Sequence, residues 1–143
     1  MSFDLKLEQG DLQLSTESDL NTVENGDKLT QDILKIVTTQ IGSSPLHPWY
    51  GCPITQSLIG RAFDEVFVDT AATNQLRFSL SNLEKLQKEQ MRTDQLVTAQ
   101  EHIGAIQNVA VRRNPIDPRF FTVEVAVISK AFRRVFTDFT VTL

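Results

Sequence analysis

The chain has 143 residues, 41% hydrophobic and 22% charged, with a formal net charge of −4. That length suits one domain, residues 1–143, able to bury its own core. The mildly acidic balance gives no general attraction to phosphate backbones, so nucleic acid is not an expected partner.

Cys52 is the one cysteine, which excludes an intrachain disulfide framework and a cysteine-based zinc site. No metal and no cofactor are expected. No run approaches the roughly 20 apolar residues that cross a bilayer, and residues 1–6 lack a basic-then-apolar leader. The expectation is a product made in the cytoplasm without a membrane partner, able to leave the cell inside a larger particle.

Phe3, Leu5 and Leu7 alternate with Asp4, Lys6 and Glu8, the period of a half-buried strand. Gln9-Gly10-Asp11 punctuates it and Leu12-Gln13-Leu14 resumes it, which predicts a hairpin. Residues 15–25 are polar and read as a loop. Asn25-Gly26-Asp27 offers a turn and an N-cap for a helix with the stripe Leu29, Ile33, Ile36, Val37 and Ile41. Gly42 is placed to end that helix in a left-handed conformation. Pro45, Pro48 and Pro53 exclude regular helix beyond it, and Trp49 with Tyr50 predicts a loop pinned by aromatic packing.

Residues 58–68 predict a short helix with Phe63, Val66 and Phe67 inward. Leu76, Leu80, Leu83 and Leu86 form a stripe opposite Glu84, Lys85, Lys88 and Glu89, an amphipathic helix ending near Met91. Thr93-Asp94 is placed to cap a third helix carrying Leu96, Ala99 and Ile103. From Ile106 the period switches to two. Val109 and Val111 share a face, as do Phe121, Val123, Val125 and Val127, and then Val135, Thr137, Phe139, Val141 and Leu143. The order predicts an α+β fold: an N-terminal β-hairpin and central helices packed on a small mixed or antiparallel sheet completed by C-terminal strands.

Chemistry is sparse. His47 and His102 are the two histidines, and no zinc-protease motif, phosphate-binding glycine loop or nucleophile elbow is present. Cys52 reads as a small buried apolar side chain, and His47 as a loop or interface residue. Two carboxylate pairs, Glu65 with Asp69 and Glu101 with Asp117, are the candidates for glycosidase-type catalysis. The first reads more simply as the solvated side of a helix. The last strand is alternating and aromatic-rich, an edge that must be either covered or used for strand addition.

The helix opening Leu29-Thr30-Gln31-Asp32-Ile33, then Ile41-Gly42 and Pro48-Trp49-Tyr50-Gly51, resembles the small baseplate wedge, or sheath-initiator, family of contractile phages, tailocins and type VI secretion systems. Members often carry a "lysozyme-like" label. Gln31, Gly42, Pro48, Tyr50 and Gly51 match the family pattern, with Tyr for the usual Phe. Ser43 and Ser44 stand where Glu and Arg are usual. The family's Glu-Pro-Arg is reduced to Glu101-His102-Ile103, and the segment 61–95 is longer than in compact relatives.

The resemblance implies a structural, non-enzymatic protein of the virion tail baseplate. Its implied partners are the tail sheath protein, other baseplate wedge proteins, and tube or hub proteins. Phe121, Val123, Val125, Val127, Phe136, Phe139 and Val141 would form the sheath platform. Gly42, Pro48, Trp49, Tyr50, Gly51 and Glu101 would form the wedge contact. Residues 136–143 are then expected to be dispensable for folding. The competing readings are a peptidoglycan hydrolase of the tail and an anti-adaptor-like regulatory binding protein of the same fold.

Overall fold

The computed structural model describes residues 3–9, 11–17, 19–59, 65–93 and 96–142. Gly10, Phe63, Asp94 and Leu143, named above, lie outside them.

The N-terminal alternation is divided between two ribbons. β1 (Asp4–Leu5) pairs antiparallel with β4 (Thr22–Val23), and β2 (Leu7–Glu8) pairs with β3 (Asp11–Leu12). The hairpin around Gln9 is as expected, but residues 15–25 are not simply loop. Thr22-Val23 has the β-branched chemistry that a strand accepts, and Leu14 bridges Leu20 just before it. Strands of two residues cannot hold themselves.

α1 (Asn25–Thr38) supplies the missing hold. Gln31 points inward from its buried face and accepts the Leu7 N–H at 2.9 Å, while its amide donates to the Leu5 carbonyl at 2.8 Å and to Asp4 Oδ2 at 3.0 Å. Asn25 to Asp27 belong to the first turn rather than preceding it. The helix stops at Thr38, because the Thr39 and Ile41 backbones turn to Cys52 instead. Gly42 is left-handed (φ 81°) as expected, but it shapes the following turn.

α2 (Ile54–Leu58), α3 (Glu65–Phe67), a π-helical turn (Val68–Ala72) and α4 (Thr73–Arg92) follow. Val66 is exposed, contrary to expectation. Val68 and Ala72 are buried in line with Leu76 and Leu80, and a residue two positions before Val68 falls on the opposite side of the helix.

Among the described residues no helix follows Thr93. Residues 98–102 instead donate and accept hydrogen bonds to three neighbours. Gln87 of α4 donates to the Glu101 carbonyl at 2.9 Å and accepts the Ile103 N–H at 2.9 Å. The Lys130 and Ala131 N–H groups donate to the His102 and Ala99 carbonyls. Thr98 donates to Asn25 Oδ1 at 3.1 Å. Ile103, the third residue of the expected stripe, already belongs to a strand. A short helical pattern loses to this web of tertiary bonds.

β5 (Ile103–Arg113), β6 (Phe120–Ser129) and β7 (Arg134–Thr142) form an antiparallel sheet in that order. α1 packs against α4 and β7, and α4 also packs against β5. Leu29, Ile33, Ile36, Leu76 and Leu80 therefore meet Val109, Val111, Phe121, Val123, Val125 and Val127 in one core. Each fully buried side chain of this kind contributes about 1.5–3 kcal/mol. Thr137 is buried, and Val135, Phe139 and Val141 pack on that core. This corrects the expectation that residues 136–143 are dispensable, because β7 closes one side of the core.

Candidate functional site

β6 is the central strand, paired with β5 on one side and β7 on the other. Phe121, Val123, Val125 and Val127 point into the core with no exposed surface. Neither their side chains nor their backbone is open to a partner, so the expected platform narrows to β7.

Among the described residues β7 pairs with β6 alone. The register runs without a bulge from Ile128 opposite Arg134 to Phe120 opposite Thr142. Ser129 donates to the Arg133 carbonyl at 2.9 Å, which fixes the phase. Hydrogen-bonded and non-hydrogen-bonded pairs alternate along an antiparallel ladder. Val135, Thr137, Phe139 and Val141 therefore direct their backbone groups to β6. Phe136, Asp138 and Thr140 direct theirs to the open edge. Of the three expected β7 residues, Phe139 and Val141 support the strand from the core side, and Phe136 is 56% exposed on the outer face.

The second region is the loop from Gly42 to Gly51. Gln40 and Cys52 bridge in parallel at its base, with the Cys52 N–H donating to the Thr39 carbonyl at 2.8 Å. Gly42 donates to the Pro48 carbonyl at 3.1 Å and Tyr50 to the His47 carbonyl at 3.0 Å. Trp49 stacks edge-on between His47 and Tyr50 at 5.8 and 6.2 Å, which is the aromatic pinning expected. Gly51 is obligatory. Its φ is 119°, and a Cβ there would lie 2.7 Å from the Thr39 carbonyl oxygen.

Tyr50 is half-buried beside Asp4, Lys28, Asp32 and Lys35. Burial, helped by the two carboxylates, pushes its hydroxyl up to about 12, so it stays protonated. Leu46 (86% exposed) and Trp49 remain at the surface.

Glu101 does not join this loop. The loop sits at the C-terminal end of α1, whereas Glu101 Oε1 faces the Asn25 N–H at 3.4 Å, at the N-terminal end. The 14 residues of α1 separate them by about 20 Å. Glu101 is fully buried, and a carboxylate suits the positive end of a helix. As a direct partner contact the expectation fails, because the side chain is spent inside the fold.

Of the two carboxylate pairs, Glu65 and Asp69 stay together on one pocket beside Arg113, and Glu101 and Asp117 come apart. Glu101 and Asp117 flank opposite ends of the 11-residue β5, roughly 30 Å apart. Asp117 is held by Arg119 at 3.0 Å, which keeps its carboxyl below the ordinary value. Glu65 is a solvated side chain lying 3.8 Å from Arg113. Burial raises the Cys52 thiol and lowers the His102 imidazole, so both are neutral at pH 7. Among the described residues no group of three His, Cys, Asp or Glu could hold a metal ion. No described helix is long and apolar enough to cross a membrane.

Sequence reading missed Gln31 and Gln87 as tethers. Their signal is an amide placed on the buried stripe of an amphipathic helix, where an unpaired polar group would cost about 1–3 kcal/mol.

Fold and geometry together define a small α+β domain whose C-terminal sheet, among the described residues, leaves the outer edges of β5 and β7 without a strand partner. No family model matches the chain, and no curated protein matches it in sequence. Among solved structures, the chain is similar to a candidate tail lysozyme from Geobacter sulfurreducens. The identity is 16% over 93% of this chain and 96% of that one, with a TM-score of 0.48.

Proposed function

We propose that this protein is a non-catalytic structural component of a contractile tail, a baseplate wedge protein that starts the sheath. It is made in the host cytoplasm and assembled into the virion tail baseplate. The observation that carries the reading is the one-sided pairing of β7. Phe136, Asp138 and Thr140 offer a ladder of outward N–H and C=O groups to a strand of the tail sheath protein. Main-chain pairing is repeated and register-specific, which suits a template. The match of Gln31, Gly42, Pro48, Tyr50 and Gly51 to the sheath-initiator pattern supports the same reading. The Gly42–Gly51 loop, with Trp49 and Leu46 exposed, is the surface for other wedge proteins, with tube or hub proteins as further neighbours.

Proline at an outward position removes an edge donor without breaking the ladder to β6. The double variant Asp138→Pro with Thr140→Pro should keep a cooperative thermal transition and yield tails without sheath by electron microscopy. Thr137→Pro, whose N–H faces β6, should unfold the protein instead. Normally sheathed tails built from the folded double variant would overturn the reading. So would clearing of a peptidoglycan suspension by the purified wild-type protein.

A further inference from the structure

The turn from β6 to β7 is unlike the rest of this acidic chain. Lys130, Arg133 and Arg134 fall within five residues that contain no acid. Phe132 stands between them, 91% exposed, and it is held in the left-handed region at φ 58°. A bulky residue is costly in that conformation, and with its side chain this exposed among the described residues, little burial offsets the cost.

The turn is nonetheless rigidly built. Ser129 donates to the Arg133 carbonyl and Phe132 to the Ser129 carbonyl, both at 2.9 Å. Lys130 and Ala131 donate to the 99–102 segment at 2.9 and 3.1 Å. None of the three cations forms an ion pair with a described residue. Arg133 and Arg134, with Phe136, line one wall of a cavity of about 500 Å³ at the start of the open edge. Glu24 and Asp27 line the helix side, so an incoming anion is restricted to the arginine wall and the turn.

We propose that this turn is the docking point for an acidic, extended segment of a partner protein. Carboxylates of the segment meet Lys130, Arg133 and Arg134, an apolar side chain covers Phe132, and the backbone continues along β7. A preorganised aromatic ringed by cations is the composition of an interface hot spot. The charges select the partner and its direction along the strand. The inference rests on the reading of β7 as an acceptor edge and adds to it the chemistry of the incoming strand.

The test uses the full chain and two labelled ten-residue peptides of alternating Val and Thr. One carries four carboxylates at one end, and the other carries Asn and Gln in their place. Fluorescence anisotropy in low salt should give the acidic peptide roughly tenfold tighter binding, as a few exposed ion pairs allow. The double variant Arg133→Glu with Arg134→Glu should abolish that preference. Phe132→Gly should weaken the acidic peptide while leaving the protein folded.

Equal binding of both peptides would sink the charge-selecting turn and leave the acceptor edge standing. Binding of neither, with no change in β7 amide signals, would sink both. Two other outcomes would place a different occupant on the turn and overturn the proposal. One is wild-type binding to phosphatidylglycerol vesicles that the arginine variant loses. The other is self-association in sedimentation that the arginine variant loses.

Discussion

The N-terminal ribbons and the C-terminal sheet are both antiparallel, yet they are held by different means. β5, β6 and β7 are nine to eleven residues long and bury a continuous apolar face against α1 and α4. The ribbons are two residues deep, and Leu7, Leu12 and Leu14 stay largely exposed. One glutamine of α1 holds their backbone. A long strand is stabilised by area, and a short one by whatever donor or acceptor its neighbour can place.

The comparison can be broken most severely from the sheet side. Phe121→Ala empties a fully buried site and should cost about 3–5 kcal/mol. The loss should appear as one cooperative shift of the urea midpoint, with the ribbons melting together with the sheet. A ribbon that outlived the sheet would mean it is independently stable.

Gln31→Ala attacks the other side. It strips the Leu7 N–H and Leu5 carbonyl of their partner, a loss of about 1–3 kcal/mol. Hydrogen exchange should speed up at Leu7 and at ribbon amides while β6 amides keep their protection. Equal loss at β6 would show that the tether also supports the core.

Acid sharpens the contrast further, through two carboxyls with opposite shifts. Burial alone would raise the Asp4 carboxyl, but the Lys35 and Gln31 hydrogen bonds and the Lys35 charge outweigh it and hold it below the ordinary value. Its contribution to holding β1 is present at neutral pH. It is lost as pH falls below about 3.9 and through the lowered folded value. Burial dominates at Asp32 and raises its carboxyl despite Lys28. That ionised group weakens the fold at neutral pH, and the deficit disappears as pH falls through its raised value. Carboxyl NMR titration should give Asp32 the higher midpoint, with ribbon amides losing protection only after Asp4 protonates. The reverse order would remove the ion pair with Lys35 as the reason β1 is held.

The mildest test is Leu12→Thr. Leu12 is exposed on β3, so the change should cost under about 0.5 kcal/mol. Val123→Thr, the matching change in the sheet, buries a hydroxyl and should cost several times more. Equal costs would erase the distinction between the two regions.

Much of this was legible in the residues. Period two marked all three long strands, and the stripe from Leu76 to Leu86 marked α4, because long patterns bury enough area to enforce themselves. The left-handed Gly42 and the pinned Trp49-Tyr50 loop were legible too, since proline and glycine constrain backbone locally. The helix expected after Thr93 failed because its carbonyls and amides are claimed by Gln87, Lys130 and Ala131, residues distant in sequence. Val66 failed because the inward face is set by the continuous helix with Val68 and Ala72.

Local sequence by itself determined the kinds of element present and which face of each long one is apolar. Only the tertiary structure decided that β6 lies in the middle and β7 at the rim. It also decided that Glu101 closes the start of α1 far from the Gly42–Gly51 loop, and that two glutamines act as tethers. Side-chain periodicity reports burial at each position. It carries no information on which strand pairs with which, nor on where a polar side chain finds its partner.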